Sequence, residues 1–399
     1  MTVLGLIEHG APLSVPLDDA VGRAIAASRI ADARPDMENT GHWRIRARGT
    51  VGAATLHVPG HDVVSLRIQP KIPIARLLFM LGYSQSPKGW RVEDVQVDED
   101  RELLPVMARL FALQAEKALR QGLLSGYREV EETALVARGR IRTTDQSRKH
   151  YDRLVPLETT RDEFTSDIAE NRILRAASEV LLRLPDGVPD EVRRQLLGLR
   201  VRLAGVTPVG TGHPFPSWRP SRLNARYHRA LRLADLVSQG DSVENRPGDV
   251  TVSGFMFDMP RVFEDFVTIA LREALVKSTG YCVLQAAHHL DEASAIRMIP
   301  DFVRYADDDR PLAVADAKYK AERPKGFPDA DLYQMLAYCT ALNLKEGHLI
   351  YAKGHAAHGL HRVKHAGITI HQHALELDQT PEELREDIQK LAQRLAPAL

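Results

Sequence analysis

Two apolar runs, Ile296–Tyr305 and Pro311–Tyr319, flank an aspartate-rich break at Ala306–Arg310, and this pattern restricts the chain more than any other stretch. Runs of this length around a turn-rich break predict a β-hairpin. Strand side chains alternate faces with period two, so Asp316 and Lys318 are expected on one face and Ala317 and Tyr319 on the other. Asp301, on the first run, can lie across from them. Two carboxylates and an ammonium on one face of a largely apolar hairpin carry a large desolvation cost unless something binds there. Clustered aspartate oxygens suit a hard divalent cation such as Mg2+. The plainer alternative is a surface hairpin with a single Asp–Lys pair.

The neighbouring segments favour the metal site. Upstream, Pro260–Val276 predicts an amphipathic helix with Pro260 in its first turn, where a missing N–H is tolerated. Its apolar stripe is Phe263, Phe266, Val267, Ala270, Leu271 and Ala274, and Glu264 borders it as a third acid within reach of a metal. Downstream, Asp329–Leu342 predicts a helix with Gln334 and Tyr338 four apart on one face, followed by a strand over His348–Ala352. Helix with Glu, strand with Asp, strand with Asp-x-Lys, helix with Gln-x-x-x-Tyr is an order that resembles the PD-(D/E)xK nuclease core. Pro300-Asp301 and Asp316-Ala317-Lys318 stand as its signature.

That resemblance implies an α/β C-terminal domain, a mixed sheet flanked by helices, with a metal-dependent phosphodiesterase site. The expected catalytic residues are Asp301, Asp316 and Lys318, supported by Glu264 and Gln334, with Mg2+ on Asp301, Asp316 and Glu264. The metal polarises the phosphate and lowers the pKa of a bound water. The lysine orients or deprotonates that water and counters phosphate charge. No Ser/His/Asp or Cys/His grouping offers a nucleophile, so the expected reaction is direct hydrolysis.

The 399 residues leave room for two or three domains, and a net charge of zero with 44% hydrophobic residues excludes a disordered chain or a uniformly basic coat for nucleic acid. From Asn245 onward acids outnumber bases by about four, so the excess positive charge lies earlier. It concentrates in Arg138–Lys149 and Trp218–Arg232, read either as solvated faces or as phosphate contacts. Residues 1–90 read as a β-rich module suited to docking, with strands over His42–Arg48, Ala54–Val58 and Val63–Ile68 and a helix over Ala75–Gly82. Residues 91–244 read as mainly helical: Leu104–Leu124, Ser166–Leu184, Asp190–Leu203 and Tyr227–Val237, with a strand-like span at Val130–Ile141 running into a basic loop. Asn171 and Arg172 are expected in a cap or a salt bridge.

Residues 245–399 form the expected nuclease domain, closed by a helix over Thr380–Leu399 with threonine at its cap. The Pro/Gly-rich stretch Val206–Pro220 lacks the order of a phosphate-binding loop, so no nucleotide site is expected on this chain. Cys282 and Cys339 read as buried reduced thiols, and the histidines, His371 and His373 among them, as surface or internally satisfied residues. The N-terminus has no signal-peptide pattern and no run is apolar enough to span a membrane, so a cytoplasmic location is expected.

Most of the chain also resembles McrC, the nuclease subunit of the McrBC modification-dependent restriction system. The matching pieces are LRIQPKI, LLFMLGY, the GRI at Gly139–Ile141, ENRILRAA at Glu170–Ala177, NARYHRALRLA, FMFDMPRVFEDFV, IPDFV, DAKYK and QMLAY. DAKYK and DMP-x-x-FE are the most specific. The resemblance implies a C-terminal PD-(D/E)xK endonuclease that works with a ring of McrB, an AAA+ GTPase that reads methylated cytosine and uses the GTP. It implies double-stranded, methylated DNA as substrate, and stimulation of the partner's GTP hydrolysis. An inserted arginine or polar side chain commonly does this, and Arg138–Lys149 is the candidate segment. Two other classes remain open on the residues alone, a non-catalytic adaptor of an AAA+ motor and a stand-alone repair nuclease.

Overall fold

The computed structural model describes residues 2–85, 87, 102–151, 153–184, 188–210, 213–246, 250–319, 329–352 and 359–396. They form two compact units, Met1–Leu103 with Glu244–Leu399, and Leu104–Val243. The division differs from three consecutive segments, because the expected N-terminal module and nuclease region share one unit. A strand pairing is the cause: Thr50–His57 runs antiparallel to Val250–Asp258, from Thr251 opposite His57 to Asp258 opposite Thr50. At Gly52, with φ at +128°, a Cβ would fall 2.0 Å from the Phe255 carbonyl oxygen, so this crossing needs glycine.

In the first unit, one sheet holds Thr2–Ile7, Val64–Gln69, Thr50–His57 and Val250–Asp258 side by side. A second, three-stranded sheet has the order Leu13–Pro16, His42–Ala47, Ala31–Pro35. Leu4, Ile25, Ile45, Leu56 and Leu66 fill the core that these strands share with the helix Asp19–Ser28. That helix was not expected, although Val21, Ala24, Ile25 and Ser28 show its spacing; Gly22 lets it lie directly on the Trp43 ring.

The C-terminal part is built on a six-stranded mixed sheet in the order Tyr281–Leu284, Phe302–Tyr305, Pro311–Lys318, Glu346–Ala352, Thr369–Leu375, Gly359–Arg362. The hairpin Phe302–Tyr305/Pro311–Lys318 is antiparallel, while Pro311–Lys318, Glu346–Ala352 and Thr369–Leu375 are mutually parallel. The parallel step takes a crossover, and helix Asp329–Ala341 lies within it. It packs against Glu346–Ala352 at Gly347, where a Cβ would meet Cys339 Sγ at 2.5 Å. Cys339 is fully buried there, as expected, whereas Cys282 is partly exposed.

Helix Met259–Ala274 buries Phe263, Phe266, Val267, Ala270 and Leu271 of the expected stripe, with Ala274 at its end half-buried. Phe266 meets Phe79 and Tyr83 of helix Ile74–Gln85 edge-on at 5.8 and 5.6 Å. The last helix, Pro381–Leu395, starts with a capping box in which Thr380 and Glu383 bond reciprocally. No helix among the described residues is long and apolar enough to cross a membrane.

The second unit contains helices Leu103–Leu119, Ala169–Arg183, Asp190–Arg202 and His228–Gly240. It is less helical than expected. A three-stranded sheet pairs Leu157–Thr165 with Gly126–Ala134 on one side and Arg140–Ile141 on the other. The segment LETTRDEFT offers no apolar alternation, which is why the strand over Leu157–Thr165 is hard to read from sequence. The expected basic loop contains a short helix, Thr143–Lys149, and its charges are partly used internally. Arg142, Lys149 and His150 all bind Glu158. Arg172 pairs with Asp167, the salt bridge expected of it, whereas Asn171, among the described residues, neither caps the helix nor pairs with a charge but donates to the Leu124 and Ser166 carbonyls.

Candidate metal-dependent phosphodiesterase site

The hairpin register sets the site. Phe302 stands opposite Ala315, and continuing the register by one pair sets Asp301 opposite Asp316. Asp301 Oδ2 accepts a 2.8 Å hydrogen bond from the Ala317 N–H, which fixes this carboxylate against the neighbouring strand. Lys318 lies two residues past Asp316 on the same face and forms an ion pair with Asp316 Oδ2. Asp301 and Asp316 are only 9% and 2% exposed. Burial, then the charge of Asp316 and that of Glu264, hold the Asp301 carboxyl well above the usual range. Burial likewise raises Asp316, against the pull of Lys318. Burial would lower Lys318, but the Asp316 carboxylate outweighs it and the net shift is upward. Two carboxyls that cannot comfortably ionise together mark a place where positive charge is missing.

The supporting residues are distributed unevenly. Glu264, on helix Met259–Ala274, is near enough for its charge to act on both aspartates, yet its Oε1 accepts a 2.6 Å bond from Gln285. Gln285, which sequence reasoning missed, has φ at +50° and donates its own N–H to the Asp301 carbonyl at 3.0 Å. Gln334 is exposed and donates to the Tyr338 hydroxyl at 2.9 Å, which in turn donates to the Ile299 carbonyl at 3.2 Å. The pair therefore braces the approach to Pro300-Asp301. A second omission is Asp331, buried in the first turn of the helix Asp329–Ala341. It accepts a 3.1 Å bond from Tyr351, whose position in the adjacent strand is directly opposite Lys318. Nothing in sequence spacing distinguishes Asp331 from an ordinary helix-start acid.

Among the described residues no three His, Cys, Asp or Glu side chains are grouped to hold a metal ion. The donors still suit Mg2+, which takes one or two carboxylates and completes its shell with waters and substrate phosphate oxygens. Asp316 Oδ2 is buried with the Lys318 ammonium as its counter-ion, and the two carboxyls together outnumber that one cation, the kind of acid surplus a hard cation offsets. Asp301 and Asp316 have the chemistry for such an ion, and Glu264 is near enough for its charge to act on both while its Oε1 accepts from Gln285.

A sequence model of the McrBC 5-methylcytosine restriction system component family matches residues 45–352. The chain belongs to this family. Among solved structures it is similar to a chain in a refined half-complex from the tetradecameric assembly of Thermococcus gammatolerans McrB AAA+ hexamers with bound McrC. That match has 20% identity and a TM-score of 0.61, covering 99% of this chain and 100% of the other. A match to the cryo-EM structure of the Thermococcus gammatolerans McrBC complex has 24% identity and a TM-score of 0.40, covering 70% of this chain and 90% of that one. No curated protein matches the sequence. Membership in the McrBC family agrees with the McrC resemblance carried by DAKYK and DMP-x-x-FE.

Proposed function

We propose that this chain is the DNA endonuclease subunit of a GTP-dependent, modification-dependent restriction complex, acting with an McrB-type AAA+ GTPase ring on methylated double-stranded DNA. The observation that carries this reading is the pair of buried aspartates joined by Lys318 on one hairpin, within a chain of the McrBC family. The mixed sheet with a helix between its parallel strands supports reading this region as a PD-(D/E)xK core. The partner is argued from likeness to a structure that describes McrB hexamers with bound McrC.

In this reading Asp301 and Asp316 hold Mg2+. The chemistry such an ion supplies is neutralisation of phosphodiester charge and activation of water for attack. The protein's own contribution is positional. The Ala317 N–H fixes Asp301, Gln285 restrains Glu264 beside the pair, and Tyr338 holds the backbone that delivers Asp301. Lys318 presents a cation where a scissile phosphate gathers negative charge. Stimulation of the partner's GTP hydrolysis is assigned to the Arg138–Lys149 segment, where Arg138, Arg140 and Arg148 are exposed.

The test is cleavage of methylated and unmethylated plasmid with Mg2+, with and without GTP and the AAA+ protein encoded beside this chain. Cutting that requires GTP, partner and methylation, and disappears in Asp316→Ala, is the expected result. Cutting without partner or GTP would make the chain a stand-alone nuclease. Stimulated GTP hydrolysis without cutting would make it an adaptor.

A further inference from the structure

Glu8 follows the first strand, Thr2–Ile7, far along the chain from the aspartate pair, and its side chain is fully buried. Its Oε2 accepts hydrogen bonds from the Lys71 N–H at 3.2 Å and from the Tyr319 hydroxyl at 3.0 Å. Its Oε1 is buried without a hydrogen bond, with His9 Nε2 at 3.9 Å. A carboxyl in this setting is costly, and a well-packed apolar residue would be cheaper, so packing alone does not account for it.

What Glu8 holds accounts for it better. Tyr319 directly follows Lys318, and its ring packs 5.9 Å from that of Phe263, the residue before Glu264. Among the described residues the parallel ladder to the next strand has its last pair at Lys318–Tyr351 and does not steer the backbone beyond the lysine. The Tyr319–Glu8 bond does so instead. A second fastening lies beside it: the Gly49 carbonyl accepts a 2.8 Å bond from the Met259 N–H at the start of the Glu264 helix. Arg46, on the strand that leads to Gly49, donates to the carbonyls of His9 at 3.3 Å and Gly10 at 3.1 Å, next to Glu8. The strand end carrying Lys318 and the helix carrying Glu264 are thus both anchored to the N-terminal sheets.

We infer that Glu8 is a positioning residue for the nuclease site, fixing through Tyr319 the end of the strand from which Lys318 reaches Asp316 and the substrate phosphate. This rests on the nuclease reading above. It makes the N-terminal sheets part of the catalytic unit rather than a docking module alone.

The experiment measures plasmid cleavage by the full chain with Mg2+, GTP and saturating AAA+ partner, wild type first. Displacement of a reacting group by an ångström costs about a hundredfold, so Glu8→Ala and Tyr319→Phe should each slow the cleavage step roughly 10- to 100-fold. The DNA concentration for half-maximal rate should not change. Glu8→Gln keeps a carbonyl acceptor for Tyr319 and should stay within a few-fold of wild type. The Glu8→Ala/Tyr319→Phe double variant should lose no more than either single one, because both remove the same bond. Tyr319→Phe keeps the ring on Phe263, so it folds even where Glu8→Ala does not. Wild-type cleavage by Tyr319→Phe, a Glu8→Gln variant as slow as Glu8→Ala, or losses that multiply would each overturn the inference while leaving the nuclease reading intact. An inactive wild type would overturn the nuclease reading and this inference with it.

Discussion

Glu158 in the second unit and the Asp301–Asp316 pair in the first are all nearly inaccessible carboxylates, at 1%, 9% and 2% exposure, yet their surroundings are opposite. Both oxygens of Glu158 are saturated. Oε1 accepts from Thr133 at 2.8 Å and lies 3.1 Å from His150, while Oε2 accepts from Arg142 at 3.0 Å and Lys149 at 3.1 Å. The Thr133 hydroxyl first, then Lys149, pull its carboxyl down to about 2. The aspartate pair has one lysine and one backbone N–H between two carboxyls that face each other, and both are pushed up. A satisfied buried acid holds a fold together; an undersupplied one weakens the fold and keeps a place for a cation.

The largest effect that tests this contrast is on cleavage. Asp316→Ala should reduce plasmid cutting by roughly a thousandfold, the upper range for loss of one electrostatic element of an active site, while its thermal midpoint stays level or rises. Glu158→Ala should do the reverse to stability and lower the midpoint by several degrees. Equal destabilisation by both would erase the distinction.

Mg2+ should next separate wild type from Asp316→Ala in thermal melts without DNA. At a hundredfold excess over its Kd a ligand of the folded state adds about 2.7 kcal/mol, and the variant should gain none of it. A gain of the same size in both would place the ion elsewhere.

Acid titration provides a third comparison, because the signs differ. Glu158 has a folded pKa depressed below its ordinary value of 4.5, so its contribution is complete above that pH and lost as pH falls towards about 2. The raised aspartates act in the opposite sense, stabilising at low pH and costing stability as pH climbs above the ordinary aspartate range. A further acid-sensitive group is His348, buried in a stacked set with His371 and His373 at ring separations of 4.9 and 5.3 Å. Burial, then His373 and His371, depress it to about 3 from 6.5. Its neutral form is favoured in the fold, so stability should fall by up to about 1.4 kcal/mol per pH unit between those values as pH drops. His348→Phe should flatten that slope in urea melts. The smallest expected effect is that of Gln334→Ala, a few-fold loss of cleavage, since this exposed side chain acts through Tyr338.

The hairpin and the Glu264 helix were legible because each combines a strong period with a chemically costly residue, and the Gln334 helix through Gln334 and Tyr338 four apart on one face. Period two put Asp316 and Lys318 on one face and allowed Asp301 to lie across from them, while the register that sets Asp301 against Asp316, with its shift at Arg304/Tyr305, came from the structure. Gln285 and Asp331 were not legible: one is placed by a left-handed backbone turn, the other by a tyrosine on a strand that sequence order alone does not bring beside Lys318. The polar strand Leu157–Thr165 escaped for a related reason, since its pairing is secured by cross-strand ion pairs such as Arg161–Glu132 rather than by an apolar face.

The pairing of Thr50–His57 with Val250–Asp258 also bears on biosynthesis. The strand Thr50–His57 takes a partner made about two hundred residues later, while Leu104–Val243 is a compact continuous segment that emerges from the ribosome between them. The inserted unit is positioned to fold first. The candidate site, whose Tyr319 bonds to Glu8 near the start of the chain, is complete only once both parts of the first unit have been made.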